Sequence, residues 1–188
     1  MVAERVRDAR LLGVQKDTDK RYTGERSWEF DVVEQGWRFH MSNLLAAVGR
    51  VQLKRFEGEF KPRRIAIASR YASLVRAMRD VRTLRQEYGP VVPFCFPVFI
   101  GGGKRDLVRD ALAAEGIETG IGYKPNHLLT KYGGGAIRLP VAEQLYEEVL
   151  TLPLHPALTD AEQDTVVAAL SRALERFPAR ERMHADVD

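Results

Sequence analysis

The sequence predicts an α+β domain, a small sheet covered on one side by helices and preceded by two long helices packed on each other. Three observations predict it. Apolar residues recur at helical spacing twice in succession between residues 42 and 78. From residue 90 the period changes, and short apolar runs alternate with amphipathic ones. The resulting order is two helices and then strand–helix three times, which suits a sheet with its helices segregated on one face.

The elements follow in order. Residues 2–12 read as a short helix with Val2, Val6 and Ala9 on one face and Gly13 as its stop. Residues 14–35 lack helical periodicity and read as a loop with a short strand around residues 28–33. Ser42 can cap the next helix, residues 43–57, whose stripe is Leu44, Leu45, Val48, Val51, Gln52 and Phe56. Ala46, Ala47 and Gly49 allow a close approach there. Pro62 sits where a first helical turn tolerates proline, and Ile65, Ala68, Tyr71, Ala72 and Val75 form the stripe of a helix over residues 62–78. The run PFCFPVFI (residues 93–100) reads as a buried strand, residues 104–116 as a helix ended by Gly116, and residues 117–123 as a strand. Pro140 then opens a helix over residues 140–150, and residues 151–155 make a short strand. Thr159 and Glu162 have capping-box spacing at the start of a last helix that runs to about Phe177. Residues 179–188 are a polar tail expected to fray.

Composition narrows the function. The 188 residues are 45% hydrophobic and 29% charged, an ordinary globular balance. The formal charge of +3 is small and the arginines are interleaved with acids, as on a solvated helix face, so nucleic acid is not the expected partner. The longest apolar run, residues 91–100, is about half a membrane span and holds two prolines, and no targeting segment is visible. One cysteine, Cys95, cannot make an internal disulfide, which suits a reducing, cytoplasmic setting. The GGGK run at residues 101–104 lacks the Ser or Thr and the first glycine of a phosphate loop, having Arg105 and Val98 in their places. It reads as a strand-to-helix turn. His40, His127, His155 and His184 have no paired metal-ligand spacing.

Two segments stand out. EQGWRFHMSN (residues 34–43) places Trp37, Arg38, Phe39 and His40 just before a helix N-terminus, where anions are favoured; the plain alternative is a capped loop whose aromatics fill the core. GYKPNHLLTKYGGG (residues 122–135) follows an expected strand and mixes Tyr123, Lys124, Asn126 and His127 with three glycines.

Taken together and in order, these segments resemble the DegT/StrS-type sugar aminotransferases. Gly36, Met41, Ala46, Ala47, Gly49, Gln52 and Leu53 match the family's helix entry and the helix that follows. Pro140, Glu143, Leu152, Pro153, Leu154 and His155 match its closing helix and strand. The resemblance runs from about residue 2 to about residue 175. It implies the C-terminal small domain of a fold type I pyridoxal-phosphate-dependent transferase, with a mostly antiparallel sheet. In that frame residues 1–35 are a remnant of the large cofactor domain, 36–80 the linking helices and 81–178 the small domain. It also implies a dimer with sites at the interface, pyridoxal phosphate as electron sink, a keto-sugar nucleotide as acceptor and an amino acid as donor.

The resemblance also implies what is missing. The family's Schiff-base lysine lies upstream of the matched region, and none of Lys16, Lys20, Lys54, Lys61, Lys104, Lys124 and Lys131 has its context. No catalytic residue is therefore assigned, and stable cofactor binding by this chain alone is not expected. Arg38 stands where the family's Asn contacts the phosphate of the partner's cofactor, and His40 where an Arg follows. His127 matches a histidine near the substrate, with Tyr123 and His40 as companions. The chain reads as an aminotransferase half that works with a second copy or a separately encoded N-terminal half. The alternatives are a non-catalytic dimerisation module and an arginine-rich nucleic-acid binder.

Overall fold

In the computed structural model of the chain, residues 2–10, 12, 13, 32, 34–39, 41–78 and 80–177 are described. They fall into two units, Met1–Lys54 and Arg55–Asp188, each taken by itself below.

In the first unit, helix α1 (Val2–Ala9) stops before residue 12, earlier than expected, because Leu12 (φ 66°) and Gly13 (φ 76°) turn the chain in the left-handed region. A Cβ on Gly13 would collide with the Glu34 carbonyl, and one on Gly36 with the backbone of residues 12 and 13, so only glycine permits this crossing. The crossing is pinned by backbone hydrogen bonds. Trp37 N–H donates to the Ala9 carbonyl at 2.6 Å, Phe39 N–H to that of Arg10 at 3.0 Å, and Leu12 N–H to that of Trp37 at 3.2 Å. Helix α2 (Asn43–Arg55) opens as expected on Ser42, whose hydroxyl accepts the Leu45 N–H at 3.2 Å. It buries none of its residues. The strand expected around residues 28–33 lies outside the described residues apart from Val32, as does the tail beyond residue 177.

The second unit begins with a π-helical turn, Phe56–Phe60, where one long helix end was expected. Arg55 bonds Glu59 at 2.8 and 2.5 Å and lies over the Phe60 ring, holding this turn closed. Helix α3 (Lys61–Val75) carries Pro62 in its first turn. The sheet has three antiparallel strands in the order β1 (Val81–Thr83), β2 (Phe96–Ile100), β3 (Val149–Leu152), with Val81 opposite Ile100 and Phe96 opposite Leu152. Helices α4 (Arg105–Ala114), α5 (Pro140–Glu148) and α6 (Asp160–Arg176) complete the unit.

Alternation along β2 sets the layers. Phe96, Val98 and Ile100 are fully buried and join Ile67, Tyr71 and Val75 of α3, Val108 and Leu112 of α4, and Val166 and Leu170 of α6 in one core. Helices α3, α4 and α6 therefore gather on one face of the sheet, while α5 adds no side chain to this core. The stripe of α3 finds its cover in α6 and β1. Tyr71 packs its ring 5.2 Å from that of Phe96. Gln163, fully buried, donates to the Ile67 carbonyl at 3.0 Å and ties α6 to α3.

Several sequence expectations shift. Residues 117–123 are not a strand and make one isolated bridge, Gly120 with Thr151. Gly120 and Gly122 leave no side chains to pack on a pleated surface. The last strand starts at Val149 rather than residue 151 and stops before Pro153, which has no N–H for the ladder, and α5 accordingly ends at Glu148. β2 starts at Phe96, leaving Cys95 just before it, half-buried. Strand β1 was not expected. The capping box is present in full: Thr159 N–H donates to Glu162 Oε2 at 2.7 Å, and Glu162 N–H to Thr159 Oγ1 at 3.2 Å. The GGGK run is a turn with Gly102 and Gly103 at positive φ, and Lys104 is buried against Asp80 at 2.6 Å, not free to meet a phosphate.

Candidate functional site

Arg38 sits on the short segment that Gly36 allows against the end of α1, a few residues before Asn43 opens α2. It is exposed, and so are its neighbours Trp37 and Phe39, so these aromatics do not fill a core. Glu34, the nearby acid, is taken by Arg5 at 3.1 Å, and among the described residues Arg38 has no ion-pair partner. An exposed guanidinium with free donors can clasp a phosphate or carboxylate bidentately. His40 lies outside the described residues.

In the second unit, residues 121–139 run from the Gly120–Thr151 bridge to the start of α5 as two 3₁₀ turns, Asn126–Leu128 and Thr130–Tyr132. The chain then doubles back through Gly133, Gly134 and Gly135, all at positive φ. Gly135 N–H donates to the His127 carbonyl at 2.8 Å. Tyr123 is 78% exposed. His127 is not: its side chain is 9% exposed and its Nε2 lies 3.1 Å from Glu143 Oε1. Glu143, four residues into the turn that Pro140 starts, also accepts the Leu139 N–H at 2.8 Å and Arg138 through Nε at 3.2 Å and a terminal nitrogen at 2.7 Å. The Leu139 N–H, then His127 and Arg138, hold the Glu143 carboxyl below the usual carboxylate range. Sequence reasoning singled out His127, and named Glu143 as a match to the family's closing helix but not as the partner of His127. The available signal was a glutamate in the first turn after a proline, able to reach back to the N-cap.

Other polar groups are committed to structure. Burial pushes the Cys95 thiol up, which disfavours the thiolate a nucleophile needs. Arg105, also buried, donates to the carbonyls of Tyr146 and Val149 and fixes the α5–β3 junction. A hollow of about 650 Å³ lies between residues 115–120, the end of β3 and α6. Its floor is Ile117, Leu158 and Val166, while Glu115 is paired with Arg172 and Glu162 with its cap. Among the described residues no group of three His, Cys, Asp or Glu side chains could hold a metal, and no helix is long and apolar enough to cross a membrane.

The sequence model of the DegT/DnrJ/EryC1/StrS aminotransferase family matches residues 1–171. The chain belongs to this family. Among its members, the dTDP-4-dehydro-2,3,6-trideoxy-D-glucose 4-aminotransferase of Saccharopolyspora spinosa is 32% identical over 164 residues, 84% of this chain and 41% of that one. The spore coat polysaccharide biosynthesis protein SpsC of Bacillus subtilis is 28% identical over 179 residues, 90% of this chain and 46% of SpsC. Among solved structures, the putative sugar aminotransferase Spr1654 of Streptococcus pneumoniae in its PMP form superposes with a TM-score of 0.76 at 29% identity, covering 90% of this chain and 44% of that one. The chain thus spans under half the length of the family members it matches.

Proposed function

We propose that this chain is the C-terminal portion of a pyridoxal-phosphate-dependent aminotransferase acting on a keto-sugar nucleotide, in polysaccharide or deoxyamino-sugar biosynthesis in the cytoplasm. In this reading residues 81–178 are the small domain of a fold type I enzyme, 36–80 its linking helices and 1–35 part of its cofactor domain. Activity requires the complementary N-terminal half, which supplies the cofactor-bearing lysine, and a dimer that brings the two sides of each site together. The observation that carries this reading is the family match over residues 1–171.

The residues present fit one end of the cofactor. Arg38, exposed and without an ion-pair partner among the described residues, has the charge and donor geometry for a phosphate. When bound, pyridoxal phosphate supplies the electron sink through which an amino group moves from donor to keto-sugar. In this reading Arg38 holds the phosphate of the partner's cofactor. His127 and Tyr123 serve the partner's sugar nucleotide, the exposed Tyr123 offering a ring and a hydroxyl, and His40, outside the described residues, is assigned to the substrate by its place in the sequence alone.

The test adds the N-terminal half to the full chain and compares cofactor dissociation and amino transfer. Loss of a charge-assisted phosphate contact of about 1.5–3 kcal/mol predicts that Arg38→Ala weakens cofactor retention by roughly one to two orders of magnitude. His127→Ala is expected to keep the cofactor and slow turnover. Parent-like retention by Arg38→Ala removes its phosphate role, and normal turnover by His127→Ala removes its place at the substrate.

A further inference from the structure

One carboxylate gathers three donors from three positions of the loop that carries His127. Glu143 is 15% exposed, and its Oε1 lies 3.1 Å from His127 Nε2 and 2.8 Å from the Leu139 nitrogen, while Arg138 spans both oxygens. Capping α5 requires only the Leu139 contact. The imidazole and the guanidinium are additional, and they differ in setting: the His127 side chain is 9% exposed and that of Arg138 77%.

An ionised carboxylate only accepts hydrogen bonds, so the ring nitrogen it faces must carry a proton. Nε2 is therefore the protonated nitrogen of His127. Its Nδ1 makes no hydrogen bond among the described residues. The backbone is fixed as well, by the 3₁₀ turn at Asn126–Leu128 and by the Gly135 N–H on the His127 carbonyl. With backbone and Nε2 both held, the ring's orientation is set before any ligand arrives.

We propose that Glu143 is a positioning residue of the sugar-nucleotide site: it anchors His127 through Nε2, so that Nδ1 is the nitrogen offered to the substrate. The proposal rests on the reading that His127 lies beside the substrate. Held in this way, Nδ1 is the ring nitrogen left to meet a sugar hydroxyl, accepting from it when the ring is neutral and donating to it when the ring is protonated. Arg138, on the same carboxylate, helps keep the anchor ionised.

Two measurements test it. In the ¹⁵N-labelled full chain, the ring proton of His127 is expected on Nε2, protected from solvent exchange. Glu143→Gln, which keeps an acceptor oxygen, retains that protected proton, and Glu143→Ala loses it. In the enzyme reassembled with its N-terminal half, Glu143→Ala lowers kcat by at least about tenfold, the scale of one lost charge-assisted hydrogen bond. Adding it to His127→Ala then costs less than about twofold more, since it acts through that ring. Circular dichroism establishes that both variants fold. The proposal is overturned by an unchanged ring proton in folded Glu143→Ala, or by losses that multiply in the double variant. Normal turnover of His127→Ala, combined with a ring proton on Nε2 of His127 in the parent chain, also overturns it, and in that case locates the failure in the substrate reading, not in the anchor.

Discussion

Tyr71 carries its hydroxyl into the core with no hydrogen-bond partner among the described residues, and burial pushes that group up to about 12. A buried hydroxyl without a partner costs free energy that its ring does not need for packing. Tyr71→Phe is therefore expected to leave stability unchanged or raise it by up to about 1 kcal/mol in denaturant unfolding. Glu143 and Glu162 behave in the opposite way. The Leu139 N–H holds the first below the usual carboxylate range and the Thr159 N–H and hydroxyl hold the second there. A group with a depressed folded-state pKa contributes stability that is fully present above its unfolded pKa and lost as pH falls through the folded one. Thermal unfolding is thus expected to be flat near neutrality and to weaken on acidification below about pH 4.5. The Glu143→Gln/Glu162→Gln double variant, less stable near neutrality, should lose less on acidification. At this scale the places of Arg38, just before a helix start, and of His127, in the loop that precedes α5, were legible, while their roles are proposals. The His127–Glu143 pair was not, because 16 residues and a glycine-rich reversal separate the partners and no local period links them.

Helix boundaries were legible wherever side-chain chemistry marks them. Ser42, Pro62, Pro140 and the Thr159–Glu162 box each open the helix expected of them. Thr159→Ala removes an N-cap oxygen and is expected to cost about 1 kcal/mol, read as a lower midpoint in urea with an unchanged slope. Strands were less legible. β1 has three residues, Val81-Arg82-Thr83, too few for alternation to register, and it exists because β2 offers it an edge. Residues 117–123 had the right apolar residues for a strand, but Gly120 and Gly122 reduce them to one bridge. The end of β3 was legible, but its first residues, Val149 and Leu150, continue an amphipathic helix pattern, and the helix ends at the buried junction that Arg105 clamps at Val149.

Across the whole chain, helix α2 exposes Leu44, Leu45, Val48, Val51 and Leu53. A contiguous apolar surface of this kind marks an interface or an aggregation risk. The sample is expected to dimerise, aggregate or bind a supplied N-terminal half, seen by sedimentation across a concentration series. A clean monomer at every concentration, with no affinity for that half, would contradict the proposed assembly. The central claim is that the cofactor-bearing lysine belongs to the complementary half. Lys104 is the one lysine buried among the described residues, and it is already tied to Asp80 at 2.6 Å, while Lys61 pairs with Glu57 at 2.8 Å. The most direct measurement mixes the purified chain with pyridoxal phosphate, reduces with borohydride and maps the adducts by mass spectrometry. The account predicts sparse labelling scattered over surface lysines. A stoichiometric adduct at a single one of the chain's lysines would contradict it.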